Sequence, residues 1–103
     1  MSKASFISCA ALFLAATSAQ AAPATRVEVL PSAIFIYATN PDERSYNCSV
    51  SFVWSHDDFG TRKSQSVSTV VGVNPKVSNA IIFQLSGSYV RVQIEGSANI
   101  SCT

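Results

Sequence analysis

The chain has 103 residues, with seven Lys and Arg against six Asp and Glu, and three cysteines. This length suits one small domain. The nearly balanced charge, with no block of like charges in the sequence, argues against a nucleic-acid-binding face or a surface for anionic lipid.

The first 21 residues have the pattern of a secretory signal peptide. Lys3 precedes a charge-free apolar run at residues 4–16, which is too short to span a bilayer comfortably. Ala19-Gln20-Ala21 then forms a small-x-small cleavage site. We therefore predict signal peptide 1–21 and a mature domain 22–103, exported to the periplasm or the extracellular space without stable membrane insertion. Cleavage removes Lys3 and Cys9 and leaves six basic against six acidic residues.

Two short apolar segments begin the mature chain. Residues 27–29 alternate apolar and charged side chains, Pro31 interrupts the pattern, and residues 33–39 form the second segment. Both faces of this second segment are apolar, and the sequence does not select the inner one. The two candidate faces are Ile34 with Ile36, and Phe35 with Tyr37. Residues 40–42, Asn-Pro-Asp, then predict a turn.

The segment 45–55, SYNCSVSFVWS, has the clearest pattern in the chain. With a period of two, one face carries large or sulfur-containing side chains and the other carries mainly Asn and Ser. We therefore predict a long half-buried strand, in which Trp54 belongs to the core and not to a binding site. The inward residues are Tyr46, Cys48, Val50, Phe52 and Trp54.

Further segments alternate in the same way towards the C-terminus. A polar connection at residues 56–60 leads to the first, and residues 74–75 and 86–88 provide turns between later ones. Together with the earlier segments this predicts about seven strands, and no helical period competes after residue 22. The predicted inward residues are Gln65, Val67, Thr69, Val71 and Val73; Ile81, Phe83 and Leu85; Val90, Val92 and Ile94; and Ala98, Ile100 and Cys102.

Many short strands without helices predict an all-β fold, a small antiparallel β-sandwich of immunoglobulin-like architecture. The order of Cys48, Trp54 and Cys102 resembles that of an immunoglobulin domain. In that family the tryptophan lies on the strand that follows the one carrying the first cysteine, whereas here both residues belong to one predicted strand. Ile100 also occupies the position of that family's corner tyrosine. We therefore predict the architecture without membership of the family, with a small closed or partly open barrel as the alternative.

Cys48 and Cys102 are the two cysteines of the mature chain, and both lie on predicted inward faces. In an exported protein such a pair predicts one disulfide between facing strands. The disulfide closes a loop of about 55 residues and, by restricting the unfolded chain, contributes roughly 4 kcal/mol.

Candidate chemistry concentrates in residues 55–63, SHDDFGTRK, which contain the one histidine of the chain. A metal site would use His56 with Asp57 or Asp58, but neighbouring side chains on an extended loop diverge, and no second histidine completes the ligand set. A hydrolase would need a serine held by His56, and no nucleophile-elbow motif is present in the sequence. We predict a solvated hairpin loop, with no catalytic residues, metal or cofactor.

One strand face offers a candidate interface. A tyrosine beside an arginine on an exposed strand is a composition that protein interfaces favour. The predicted outward row is Tyr89, Arg91, Gln93 and Glu95. Asn47 and Asn99 head two N-glycosylation patterns on predicted outward faces, and the sequence does not decide whether they are used.

These observations leave three functional hypotheses. The first is a noncatalytic exported binding or assembly module, whose edge strands accept a segment of another exported or envelope protein. The second is an exported enzyme or enzyme inhibitor acting through the loop around His56. The third is a surface-fibre subunit, in which residues 22–30 pair with a neighbouring molecule instead of their own sheet. The sequence specifies neither the ligand nor the oligomeric state.

Overall fold

A computed structural model describes residues 23–103 of the chain. The predicted signal peptide and its cleavage site lie outside the described residues. The described part contains six strands and no helix. The strands are β1 Ala24–Leu30, β2 Ala33–Asn40, β3 Tyr46–Asp58, β4 Thr61–Val73, β5 Val77–Ser86 and β6 Val90–Cys102.

The six strands form two three-stranded sheets, in the orders β1-β2-β5 and β4-β3-β6. Every pairing is antiparallel. Residues of both central strands, β2 and β3, meet in one buried cluster between the sheets. This confirms the all-β, antiparallel prediction and is consistent with a small β-sandwich.

The strand count differs from the prediction of about seven because the last two predicted strands are one. In β6, Glu95 lies opposite Val53 of β3 and Asn99 lies opposite Ser51. Residues 96–98 therefore face a single residue of β3, which is a bulge inside a continuous strand and not a turn. Gly96 has a φ of 75°, a conformation that glycine adopts without steric cost.

The central strand β3 alternates as predicted. Tyr46, Cys48, Val50, Phe52 and Trp54 are all buried, at 4% exposure or less. The facing residues of β4 follow the same alternation from Val67 to Val73, whereas Gln65 is exposed. Strand β2 contributes the face that the sequence left open, and its inward residues are Ile34, Ile36 and Ala38.

Two bulges at the sheet edges reverse predicted inward residues. In β5, Ile36 lies opposite Phe83 and Tyr37 lies opposite Ile81, so that Ile82 is the extra residue. Ile82 is buried, while Ile81, predicted to face inward, is 54% exposed. An extra residue shifts the alternation by one position, which moves a side chain to the opposite face. The same effect in β6 leaves Val90 55% exposed.

Asn40 closes one end of the core at the predicted turn. Its side chain is fully buried, and its amide nitrogen donates to the carbonyl oxygens of Arg44 at 2.8 Å and Asn74 at 3.0 Å. Its side-chain oxygen accepts a hydrogen bond from the backbone N–H of Asp42 at 3.0 Å. One polar side chain thereby joins the β2–β3 connection to the β4–β5 connection, with its own hydrogen-bonding groups satisfied.

Cys48 and Cys102 form a disulfide with an S–S distance of 2.02 Å. Contrary to the expectation of facing strands, the two cysteines lie directly opposite each other on the neighbouring strands β3 and β6 of one sheet. The adjacent residues Asn47 and Thr103 exchange both backbone hydrogen bonds, so the cysteines occupy a non-hydrogen-bonded pair. Such pairs bring the strands closest together, which agrees with the Cα–Cα distance of 4.0 Å.

Candidate functional site

The segment predicted as a solvated loop is mostly paired strand. Strand β3 continues to Asp58 and β4 begins at Thr61, which leaves only Phe59 and Gly60 in the turn. Their φ values of 51° and 81° are those of a type I′ hairpin turn, whose twist matches that of the flanking strands. The backbone N–H of Val92 donates to the carbonyl of Pro31, which places the β1–β2 turn near the level of His56. The last residues of the hairpin therefore project beyond the first sheet, with Phe59 fully exposed at the tip.

His56 lies in an aromatic cluster and not in a solvated loop. Its ring stacks on Trp54 with ring centroids 5.1 Å apart and meets the edge of Tyr89 at 5.0 Å. Tyr89 in turn contacts Trp54 in an edge-to-face arrangement at 5.0 Å. His56 is half-buried, so this histidine extends the core towards the projecting hairpin.

Asp57 connects three strands through two arginines. Its carboxylate accepts a hydrogen bond from Arg62 of β4 at 2.9 Å and another from Arg91 of β6. These bonds, that from Arg91 first, hold the pKa of the Asp57 carboxyl below its usual value. The same contact raises the pKa of Arg91. The charges of the hairpin thus neutralise one another across the sheet, as Lys63 and Asp58 do at 3.3 Å.

The structure separates Tyr89 from the rest of the predicted interface row, because Tyr89 faces the core whereas the other three residues are exposed. Val90 lies opposite Asp57 and Gln93 opposite Ser55, so Arg91 and Val92 together face His56. This bulge, with a φ of 52° at Arg91, reverses the alternation before it and turns Tyr89 inward onto Trp54. Gln93 and Glu95 remain exposed after the bulge. Arg91 is exposed but paired with Asp57.

Ser55 and Glu95 form a further polar contact beside this row. The hydroxyl of Ser55 donates to a carboxylate oxygen of Glu95. Neighbouring residues of a strand point to opposite faces, yet Ser55 and Trp54 are both buried. The serine closest in sequence to His56 is therefore occupied by a carboxylate on β6. This arrangement suits packing between strands β3 and β6.

The position of strand β4 at the edge of its sheet is the feature that sequence reasoning missed. All 13 of its residues, from Thr61 to Val73, pair with β3 in an unbroken register. Its other side forms no ladder within residues 23–103, because β4 ends its sheet. Residues 64–73 contain neither a charged residue nor proline. A long, regular and uncharged edge is the form in which a strand accepts another strand.

The outer face of the same sheet is small and uncharged around its centre. Ser49 pairs with Val70 and Ser51 with Ser68, and all four side chains are exposed. Asn47 and Asn99, which head the two glycosylation patterns, are also exposed on this face. The sheet therefore presents mainly small, uncharged side chains next to its open edge, with the exposed Val70 among them.

Residues 23–103 enclose no detectable cavity and contain no group of three or more His, Cys, Asp or Glu side chains able to hold a metal ion. None of these residues belongs to a helix long and apolar enough to cross a membrane. No protein-family model, curated protein or solved structure matches the chain.

Proposed function

We propose that the protein is a noncatalytic exported module that binds or assembles with another exported or envelope protein by adding a partner strand along β4. The observation that carries this proposal is the open edge of β4, with its unbroken register and its uncharged residues 64–73. In such binding, backbone hydrogen bonds supply affinity and the alternating side chains supply selectivity.

The hairpin end supports a scaffold in preference to a catalytic loop. His56 stacks on Trp54 and Tyr89, and the carboxylate of Asp57 is engaged by two arginines. A general base must reach a substrate proton, and a carboxylate with a lowered pKa and two cationic partners is a weak base. These contacts favour a structural role for the residues around His56.

The contacts of β1 favour a self-contained domain over the strand-exchanged fibre subunit. Strand β1 pairs with β2 of the same chain from Ala24 to Leu30. The pairing is reinforced on its outer face, where the Arg26 guanidinium lies 4.1 Å from the Tyr37 ring centroid and the Tyr37 hydroxyl donates to Glu28 at 3.0 Å. Removing β1 from its own sheet would break these contacts.

Export is part of the proposal and is supported by the disulfide. Disulfides persist mainly in oxidising compartments such as the periplasm and the extracellular space. The immunoglobulin-like comparison concerns architecture alone, because in those domains the disulfide joins the two sheets, whereas Cys48 and Cys102 lie in one. Intact-mass measurement of the exported protein tests the compartment. A chain beginning at Ala22 or within two residues of it supports export, and retention of residues 1–21 contradicts it.

A site-specific crosslinking experiment tests binding at β4. A photoreactive amino acid is placed at Ser66 on β4 or, as a matched control, at Ser78 on the edge strand β5, and the tagged protein is irradiated in its native envelope. Both serines are exposed. We expect one defined adduct from Ser66, lost when Ser68→Pro is added, and none from Ser78. Equal adducts from both positions, or no adduct from Ser66, would contradict the proposal.

A further inference from the structure

We propose that the strand that pairs with β4 is β4 of a second copy of this chain, aligned antiparallel around a two-fold axis at Val67. This inference rests on the proposed function, since it takes β4 as the binding edge and identifies the exported protein that pairs there as a second copy of the same chain. The resulting dimer joins two three-stranded sheets into one continuous six-stranded sheet.

Each of the other edges in residues 23–103 carries a feature that opposes strand addition. Strand β1 has only seven residues and lies between Pro23 and Pro31. Strand β5 has irregular register and a φ of 51° at Asn79. Strand β6 has two irregularities, with positive φ at Arg91 and Gly96. Short strands, prolines and bulges are the usual protections of an edge, and β4 lacks all three.

The hydrogen-bonding groups available on β4 follow from the opposite end of the sheet. Asn47 and Thr103 bond to each other in both directions, so Asn47 and the alternate residues after it direct their backbone groups towards β6. The intervening residues of β3, from Cys48 to Asp58, therefore direct theirs towards β4. Their partners are the odd-numbered residues of β4. The even-numbered residues, from Arg62 to Gly72, then direct their N–H and C=O groups to the open edge.

Charge selects the antiparallel self-pairing. The two cations of β4, Arg62 and Lys63, lie at its beginning, and residues 64–73 are uncharged. A parallel pair of β4 strands would set each arginine beside its own copy, which is unfavourable. In the antiparallel pair centred on Val67, Arg62 lies beside Gly72 and Lys63 beside Val71. All 13 residues of each strand are then paired without a like-charge contact.

The register around Val67 also places the free N–H and C=O groups of one β4 strand opposite those of the other. Ser66 lies opposite Ser68, and both are even-numbered residues with groups directed to the open edge. Ser64 lies opposite Val70, whose side chain is 64% exposed in the single chain. Because the two-fold axis uses the same edge of both copies, the dimer closes and leaves no further β4 edge free. A finite dimer is therefore expected, and not a fibre.

The experiment compares three forms of the mature, oxidised protein by sedimentation equilibrium. We expect the unaltered protein to have the mass of a dimer. Ser66→Pro should raise the dimer dissociation constant by about tenfold or more, because it removes two donors per dimer and places two rings in the new ladder. Its N–H is not needed by β3, so the circular dichroism spectrum should be unchanged. Ser51→Lys, on the outer face of β3, is the matched control and should leave the dimer intact.

The outcomes separate this inference from the proposed function. A dimer that is broken by Ser51→Lys but not by Ser66→Pro would overturn the edge pairing in favour of face-to-face stacking. A protein that is monomeric at every concentration would overturn self-pairing. If that monomer still gives the Ser66 adduct with a different envelope protein, binding at β4 stands. If it gives no adduct, both proposals fail.

Discussion

Replacement of Trp54 by alanine tests the assignment of this residue to the core. Trp54 is 2% exposed and contacts the rings of His56 and Tyr89. A buried tryptophan removes about 200 Å² from water, worth about 5 kcal/mol at 25 cal/mol per Å². Alanine retains part of this burial, which lowers the transfer loss, and the cavity left by incomplete relaxation adds a smaller cost. We therefore expect Trp54→Ala to lower the free energy of unfolding by about 3–5 kcal/mol.

The measurement is urea-induced unfolding of the oxidised protein followed by circular dichroism. Fluorescence is unsuitable for the variant, because Trp54 is the only tryptophan of the chain. In the unaltered protein the same indole should emit as a buried one and shift to longer wavelength on unfolding. A loss below about 1 kcal/mol, a size typical of substitutions outside the core, would refute the reasoning. Emission of a water-exposed indole from the folded protein would refute it independently.

Three further substitutions and one labelling experiment test other contacts of the structure. Asn40→Ala should lower the free energy of unfolding by roughly 3 kcal/mol, because it leaves two carbonyls and one N–H without their partner; a loss under about 1 kcal/mol in the same urea assay would contradict this. His56→Ala should cost about 1 kcal/mol through the lost ring stacking, against no more than about 0.5 kcal/mol for a solvated loop residue. Because the pKa of Asp57 is lowered on folding, its ion pairs stabilise the fold above the unfolded value near 3.9, and this contribution disappears as the pH falls below it. Urea titrations at several pH values should therefore show a weaker acid dependence for Asp57→Asn, and an unchanged dependence would contradict the ion pairs. Thiol labelling of denatured, unreduced protein should detect no free thiol, and labelling of both Cys48 and Cys102 would exclude the disulfide.

The sequence was most informative where alternation was long and uninterrupted. All five predicted inward residues of β3 are buried. This strand is flanked on both sides within its sheet, and its inner face packs against the other sheet along its length. The partner strand β4 follows the same rule for Val67, Val71 and Val73. Period-two reasoning succeeds in these strands because the register contains no extra residue.

Bulges limited the predictions elsewhere. Each one moves the residues beyond it to the opposite face, so that Ile82 replaces Ile81 and Tyr89 replaces Val90 in the interior. Positive φ at Arg91 accompanies the bulge in β6, and positive φ at Asn79 accompanies a second irregularity of β5, beyond the Ile82 bulge. Neither residue type signals a bulge as glycine does. Gly96 is such a signal, but its position between two alternating segments also fitted a turn.

The candidate site depended on pairing order, which alternation does not specify. Nothing in residues 61–73 indicates that β4 has a neighbour on one side only. The polar composition of residues 56–58 likewise indicated a loop, because their partners Arg62 and Arg91 become adjacent only when β3 lies between β4 and β6. The open edge of β4 and the contacts of Asp57 with Arg62 and Arg91 both depend on the order of the strands in the sheet.

The order of strands in the two sheets also has a consequence for the folding reaction. Among the strand pairs of residues 23–103, only β1–β2 and β3–β4 are sequence-adjacent hairpins, whereas β2 pairs with β5 across the intervening β3–β4 hairpin. The pair β3–β6 is joined by a disulfide that spans a sequence separation of 54. Non-local pairings of this kind form slowly, because loop closure precedes the contacts that compensate it. The two hairpins should therefore form early in folding. Strand β6 should pair with β3 late, and the disulfide between Cys48 and Cys102 should form after that pairing.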